Sequence, residues 1–276
     1  MTIDESVQTP IHRRVAVKAF AGAATVVAGS AALAACGAAT TNTSTGTSSS
    51  AGSKTAAAGG AYSVTPGTAT KVWYTVTPTQ LAITDRGADC WGTADTCTYL
   101  DQKASGAGMW TVEVVNLDST NAWAKAGIMA RSSLDPTSAD VFLAVTISNG
   151  VVLQYREATG DNEGGTNSDN QSVESNANGG VAPMWLKLQT DASGNWTGWN
   201  STDGKTWANS TVGAQNPVSL GTSYLIGLAA TAHDNTQHGV ATFASPGGFA
   251  SKKFTGDLVG TNDTVAVPTT PPVPGA

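Results

Sequence analysis

Residues 121–156 read NAWAKAGIMARSSLDPTSADVFLAVTISNGVVLQYR, and this stretch decides the fold class. Val141, Leu143, Val145 and Ile147 fall on one face at a period of two, with Phe142, Ala144 and Thr146 on the other. That alternation is the signature of a strand whose side chains point to opposite sides of a sheet. Ser148-Asn149-Gly150 follows, and Asn-Gly marks a tight hairpin because both residues tolerate positive φ. Val151, Leu153 and Tyr155 then resume the alternation against Val152, Gln154 and Arg156. Two antiparallel strands result, and 123–131 predicts a third.

The same pattern recurs on both sides. Short strands are predicted over 72–76, 80–84, 95–100, 109–117, 183–190, 196–200, 224–231 and 239–245. Pro78 separates the first two, and Asp203-Gly204 marks another hairpin turn. About eleven short strands, frequent turn signals and no helical periodicity predict an all-β chain, a two-layer antiparallel jelly-roll sandwich.

The ends of the chain read differently. Arg13-Arg14 and Lys18 precede a short Ala/Val/Gly run that ends in Leu33-Ala34-Ala35-Cys36. A basic region, an apolar stretch and small residues before a cut site make an export signal. The ending resembles the lipobox of bacterial lipoproteins, which are cut before the cysteine and lipidated on its sulfur. This resemblance implies a bacterial cell-envelope protein anchored to membrane lipid through Cys36. The arginine pair also resembles a twin-arginine motif, with Ala16 where that motif carries an aromatic or leucine, so both the general secretory and the twin-arginine routes stay open. Residues 1–35 are thus assigned to a signal peptide. The Ser/Thr/Gly/Ala-rich 36–70 are assigned to a flexible linker, 71–258 to the sandwich and the Pro-rich 259–276 to a disordered tail.

The whole chain carries −6, and loss of the signal with its three bases and two acids (Asp4, Glu5) leaves −7. Without a basic cluster, nucleic acid is excluded as a partner. Cys90 and Cys97 are the two cysteines beyond Cys36. An exported protein meets an oxidising compartment, so a structural disulfide is expected, worth roughly 2.5 kcal/mol for so small a loop.

Trp123-Ala-Lys-Ala-Gly-Ile-Met-Ala-Arg131 and Gln154-Tyr155-Arg156 resemble successive segments of a family of secreted bacterial domains, the concanavalin A-like, laminin-G-like jelly rolls called regulation-of-enolase-like. Trp185-Leu186-Lys187-Leu188, Ser201-Thr202-Asp203-Gly204, Trp207, Ile226-Gly227-Leu228-Ala229 and Ala241-Thr242-Phe243 follow in the same order. The resemblance implies a concanavalin A-like fold. It also supports the disulfide, since the family is usually apolar where Cys90 and Cys97 stand.

Glycoside hydrolases on such folds need two carboxylates at fixed spacing, one to protonate the leaving group and one to attack. Glu113, Glu157, Glu163 and Glu174 are the glutamates of the domain, and none has a partner acid at strand spacing. An enzyme is therefore not expected. His233 and His238 flank a turn and read as exposed imidazoles, so no metal site is assigned to them. The loop 157–174 offers Asp161, Asn162, Glu163, Asp169 and Asn170, oxygen ligands of the type calcium takes, without the spacing of a calcium loop. No cofactor is assigned, and a solvated loop is preferred to a calcium site.

Eight tryptophans point to ligand binding, because indole faces stack on sugar rings. Core packing is expected to absorb Trp110, Trp123 and Trp199. Trp91 and Trp207 sit beside polar turns and are the better ligand candidates, with Asp95, Arg131 and Arg156. The two arginines end neighbouring strands and either form a polar ligand patch or pair with Asp89 or Asp95 to hold the sheet edge. The expected function is a non-catalytic surface module for carbohydrate or another envelope component; a polysaccharide-acting enzyme and a purely structural envelope lipoprotein are the alternatives.

Overall fold

A computed structural model of the chain describes residues 62–67, 72, 74–163, 173–175, 181–209, 218–260 and 272–273. The export signal, Cys36, Trp73 and most of the linker lie outside these residues. The strands begin with β1 (Ser63–Pro66), β2 (Tyr74–Val76), β3 (Gln80–Asp85), β4 (Cys90–Trp91), β5 (Ala94–Asp95) and β6 (Cys97–Ala104). They continue with β7 (Gly108–Leu117), β8 (Lys125–Arg131), β9 (Asp140–Thr146), β10 (Val151–Arg156) and β11 (Val173–Ser175). The last are β12 (Met184–Thr190), β13 (Trp196–Ser201), β14 (Ala208–Asn209), β15 (Tyr224–Thr231), β16 (Gly239–Gly247) and β17 (Lys253–Val259).

Two sheets carry the fold. One has eight strands in the order β1-β17-β6-β15-β8-β9-β10-β11, and the other seven in the order β14-β13-β12-β7-β16-β3-β2. Every pairing is antiparallel except β1 with β17. The expected all-β sandwich is thus the observed one, with a small two-stranded ribbon, β4-β5, added to it.

The alternation read from the sequence places the side chains. Val141, Leu143, Val145, Val151, Leu153 and Tyr155 enter the main core between the sheets, with Ile128, Leu186, Leu188 and Phe243. Leu143 packs directly over Gly198 of the opposite sheet. At one end Trp110 and Trp196 stack at 6.1 Å, and Tyr224 meets both rings edge-on. Trp110 is thus in the core as expected, and Trp196 joins it.

Phe142, Ala144 and Val152 face the other way, yet they too are buried. With Cys90, Cys97, Tyr99, Met129 and Ala229 they form a second core on the outer face of the eight-stranded sheet. Strands β8, β9 and β10 are therefore buried on both faces, as a strand covered on both sides must be.

Local differences have local causes. The stretch expected as one strand from Asp95 is split at Thr96, whose hydroxyl accepts the Ala88 and Asp89 amides and whose own amide bonds the Asp89 carbonyl. In the Asn149-Gly150 turn only Gly150 has positive φ, and the Thr146 hydroxyl accepts the Asn149 amide. The loop is accordingly longer than a two-residue hairpin. β1 lies inside the segment assigned to the linker, and Pro272, in the assigned tail, is buried and its carbonyl accepts a hydrogen bond from the Thr75 hydroxyl.

Two buried carboxyls give the fold a pH dependence. Asp85 accepts the Gly239 amide with one oxygen, and the other is buried without a partner. Burial, opposed by that hydrogen bond and reinforced by the charge of Asp118, pushes it up to about 7. Burial and then the neighbouring carboxylate of Asp257 push Asp101 up to about 7 as well. Each binds its proton more tightly folded than unfolded, where an aspartate titrates near about 4. Their contribution is complete below that value and is lost as pH rises through 7. The melting temperature is expected to fall as pH is raised from about 5 to about 8, and Asp85→Asn and Asp101→Asn each flatten the slope. A profile equally steep in both variants would contradict this assignment.

Candidate functional site

Arg131 ends β8, Asp140 starts β9 and Arg156 ends β10, so antiparallel pairing sets all three abreast on the outer face of the eight-stranded sheet. Asp95, from the β4-β5 ribbon, descends onto them. Arg131 Nη1 lies 2.5 Å from Asp95 Oδ2, and Arg156 Nη2 lies 2.8 Å from Asp95 Oδ1. Arg156 Nη1 also donates to Asp140 Oδ2 at 2.7 Å and to the Ser138 carbonyl at 2.9 Å. Glu163 closes the group, its Oε2 3.0 Å from Arg156 Nη2 but outside hydrogen-bond geometry. Arg131, Arg156 and Asp95 are all 0% exposed.

These three side chains are therefore closed to solvent. Of the two roles left open for the arginines, the structural one is observed: they clamp the ribbon over the second core. Three carboxylates against two guanidiniums leave one negative charge in excess, which a low-dielectric site does not tolerate. The shifts agree. Burial raises Asp95, but the hydrogen bonds and charges of Arg156 and Arg131 outweigh it and hold the carboxylate below its usual range. Burial and the Asp95 charge push Asp140 well above that range, and burial with the Asp140 and Asp95 charges does the same to Glu163. A single proton on either Asp140 or Glu163 would make the cluster neutral.

The carboxylates of Asp95, Asp140 and Glu163 lie close enough to ligate a common cation. The two guanidiniums already supply that positive charge, and a divalent ion added to them would leave a buried net positive charge. From the loop considered for calcium, Glu163 is thus committed to Arg156, and the Asp161 carbonyl accepts from Arg156 Nε. Asp169 and Asn170 lie outside the described residues.

A second polar group sits where the ribbon meets β8. Lys125 Nζ is 2.5 Å from Asp89 Oδ1, and His233 Nε2 is 2.9 Å from Asp89 Oδ2. Burial raises Asp89, but the His233 hydrogen bond and the Lys125 charge win and hold it low. The same hydrogen bond to Asp89, against burial, raises His233. Trp91 and Trp123, both half-buried, flank the ammonium at 6.0 and 5.9 Å. Trp91 thus belongs to this group, and His233, read from the sequence as merely exposed, closes it through Asp89.

Cys90 and Cys97 are free thiols, both buried, so the expected disulfide is not present. Burial, with the neighbouring Cys97 thiol, pushes Cys90 far above its ordinary range. Thiol oxidation proceeds through the thiolate, which this environment suppresses.

The open aromatic surface is on the other sheet. Strand β12 alternates strictly, sending Met184, Leu186, Leu188 and Thr190 inward and leaving Trp185, Lys187 and Gln189 on the outer face. On β13 the outward residues are Thr197 and Trp199, and Trp199 pairs directly with Lys187. Trp207 enters β14 beside them. Lys187 Nζ lies 4.4 Å from the Trp199 ring centre and 4.5 Å from that of Trp207, within the range of a cation–π contact.

The turn 201–206 is held by side chains. The Ser201 hydroxyl accepts the Asp203 and Gly204 amides, and Asp203 Oδ1 accepts those of Lys205 and Thr206. These bonds hold the Asp203 carboxylate far below its usual range. The turn folds over the face of Trp185, which Gly204 touches. Trp185, Trp199 and Trp207 are all half-buried. Of the ligand candidates read from the sequence, Trp207 is on this surface. Trp199, expected in the core, and Lys187, not considered, join it.

No protein-family profile matches the chain, and no curated relative is found. The family resemblance noted in the sequence therefore reaches the fold and no further. Among solved structures, a functionally unknown protein from Saccharomyces cerevisiae is similar at 18% identity and TM-score 0.47, over 66% of this chain and 94% of that one. A xylan β-1,4-xylosidase from Bacillus halodurans is similar at 13% identity and TM-score 0.38, over 62% of this chain and 34% of the enzyme. Peanut lectin aligns at 8% identity and TM-score 0.27, over 68% of this chain and 83% of the lectin. These likenesses concern the sandwich fold alone.

Proposed function

We propose that the chain is a non-catalytic carbohydrate-binding module, tethered through a lipidated Cys36 and a flexible linker to a bacterial envelope membrane. The observation that carries this reading is the outer face of the seven-stranded sheet, where the half-buried indoles of Trp199 and Trp207 hold one lysine and Trp185 stands on the same face. Burying large aromatics is the easiest way for a sandwich to stabilise itself, so three indoles left partly open on one outer face favour a ligand with apolar faces and polar edges. A sugar ring has both. The export signal and lipobox-like Cys36 support display at the cell surface.

Retention of the full chain on polysaccharide affinity gels tests the reading. Trp199→Ala and Trp207→Ala are each expected to weaken binding by about 2 kcal/mol, the scale of an interface hot spot, while both variants keep a single cooperative melting transition. A chain that binds no glycan, or binds equally well without both indoles, overturns it. Incorporation of labelled fatty acid, expected in the native chain and absent in Cys36→Ser, tests the anchor separately.

A further inference from the structure

We infer that the Trp199–Lys187–Trp207 surface selects acidic glycans, taking a uronic acid residue with its ring on an indole and its carboxylate on the Lys187 ammonium. This deepens the carbohydrate reading and rests on it. The argument begins with charge partners. The well-packed cations of the domain are matched: Lys125 by Asp89, and Arg131 and Arg156 by Asp95 and Asp140. Lys187 differs. Among the described residues no carboxylate lies within ion-pair distance of it, and its ammonium is held against two indole faces instead. Burial against those rings lowers its proton affinity, so part of its hydration has been given up without a compensating anion.

The acids of the neighbourhood do not fill the gap. Asp203 has both oxygens engaged in its own turn. Glu113 stands opposite Trp185, whereas the residue opposite Lys187 is Thr111. A neutral sugar could stack on the indoles but would leave the ammonium as it is. A uronic acid adds a charge-assisted hydrogen bond at the same place, and such bonds are about twice as strong as neutral ones. It also adds discrimination, since a sugar lacking the carboxylate leaves the partly desolvated cation unmatched.

The test uses the full chain with polygalacturonate, polymannuronate and polyglucuronate, each beside its carboxyl-reduced counterpart of the same linkage. The native chain is expected to bind at least one uronan about tenfold or more tightly than its reduced form, as a charged partner requires. Lys187→Met, which keeps the apolar stem on the rings, is expected to bring the two affinities together, and Lys187→Arg to keep them apart. Equal affinity for every pair, or a preference that survives Lys187→Met, overturns the inference while leaving carbohydrate binding intact. Failure of all acidic and neutral forms to bind overturns both readings. Unchanged melting of the variants, which alter an outward-facing side chain, confirms that they are folded.

Discussion

Arg156→Met is expected to destabilise the domain by about 3–5 kcal/mol, the scale for removing one partner of a buried ion pair. Native domains have only about 5–15 kcal/mol in all, so the loss is a large share of the total. The guanidinium touches both Asp95 oxygens, Asp140, Glu163 and the carbonyls of Ser138 and Asp161. Methionine fills much of the volume and satisfies none of these. Three buried carboxyl groups are then left with Arg131 alone, and two of them must be protonated.

The charge count supplies a control. Glu163→Gln removes the excess negative charge, leaving two acids for two arginines, and is expected to cost less than about 1 kcal/mol at neutral pH. Chemical denaturation of both variants decides the matter. An Arg156→Met chain as stable as the parent would show that the cluster does not hold the ribbon. A Glu163→Gln chain as unstable as Arg156→Met would show that the charge count is wrong.

Gly127→Ala is the second large effect. Gly127 lies in the middle of β8, and a methyl group there would overlap the Leu143 carbonyl oxygen of the neighbouring strand β9. That obstacle is backbone, held by the pairing of β9 with β8 and β10 on both sides, and cannot swing aside as a side chain would. Overpacking typically costs about 1–3 kcal/mol, and a rigid obstacle puts this case at or above the upper end. Gly227 stands in the same relation to the Leu100 carbonyl, so the central strands β6, β15, β8 and β9 approach closely at two glycines. Gly227→Ala is expected to behave alike. Denaturant midpoints check both variants, and an unchanged midpoint in either would refute the close approach.

Parts of the buried cluster were within reach of the sequence. The hairpin register that sets Val151 opposite Val145 also sets Arg156 opposite Asp140, and the next pairing sets Asp140 opposite Arg131. Following that register would have named Asp140 as the arginines' partner. Glu163 had no such signal, because it lies in a polar loop whose path depends on where Arg156 waits for it. Trp199 reads as core by residue type, yet its parity with Thr197 places it on the outward face of β13. Cys90 and Cys97 match an expected compartment, whereas the structure holds both as free, buried thiols.

The sequence by itself determined the all-β class, the strands β7 to β10, β12, β13, β15 and β16 nearly in full, and the two-residue alternation of side chains along them. Those properties follow from a two-residue period and local turn chemistry, which neighbouring residues carry. Only the tertiary structure decided that the outer face of the eight-stranded sheet is covered by the β4-β5 ribbon, and that cover turned Arg131, Arg156 and Asp95 from surface candidates into a buried clamp. The reason is distance along the chain: whether a polar side chain meets water or a counter-charge depends on a segment 36 to 61 residues away, and no local pattern encodes which segment that is.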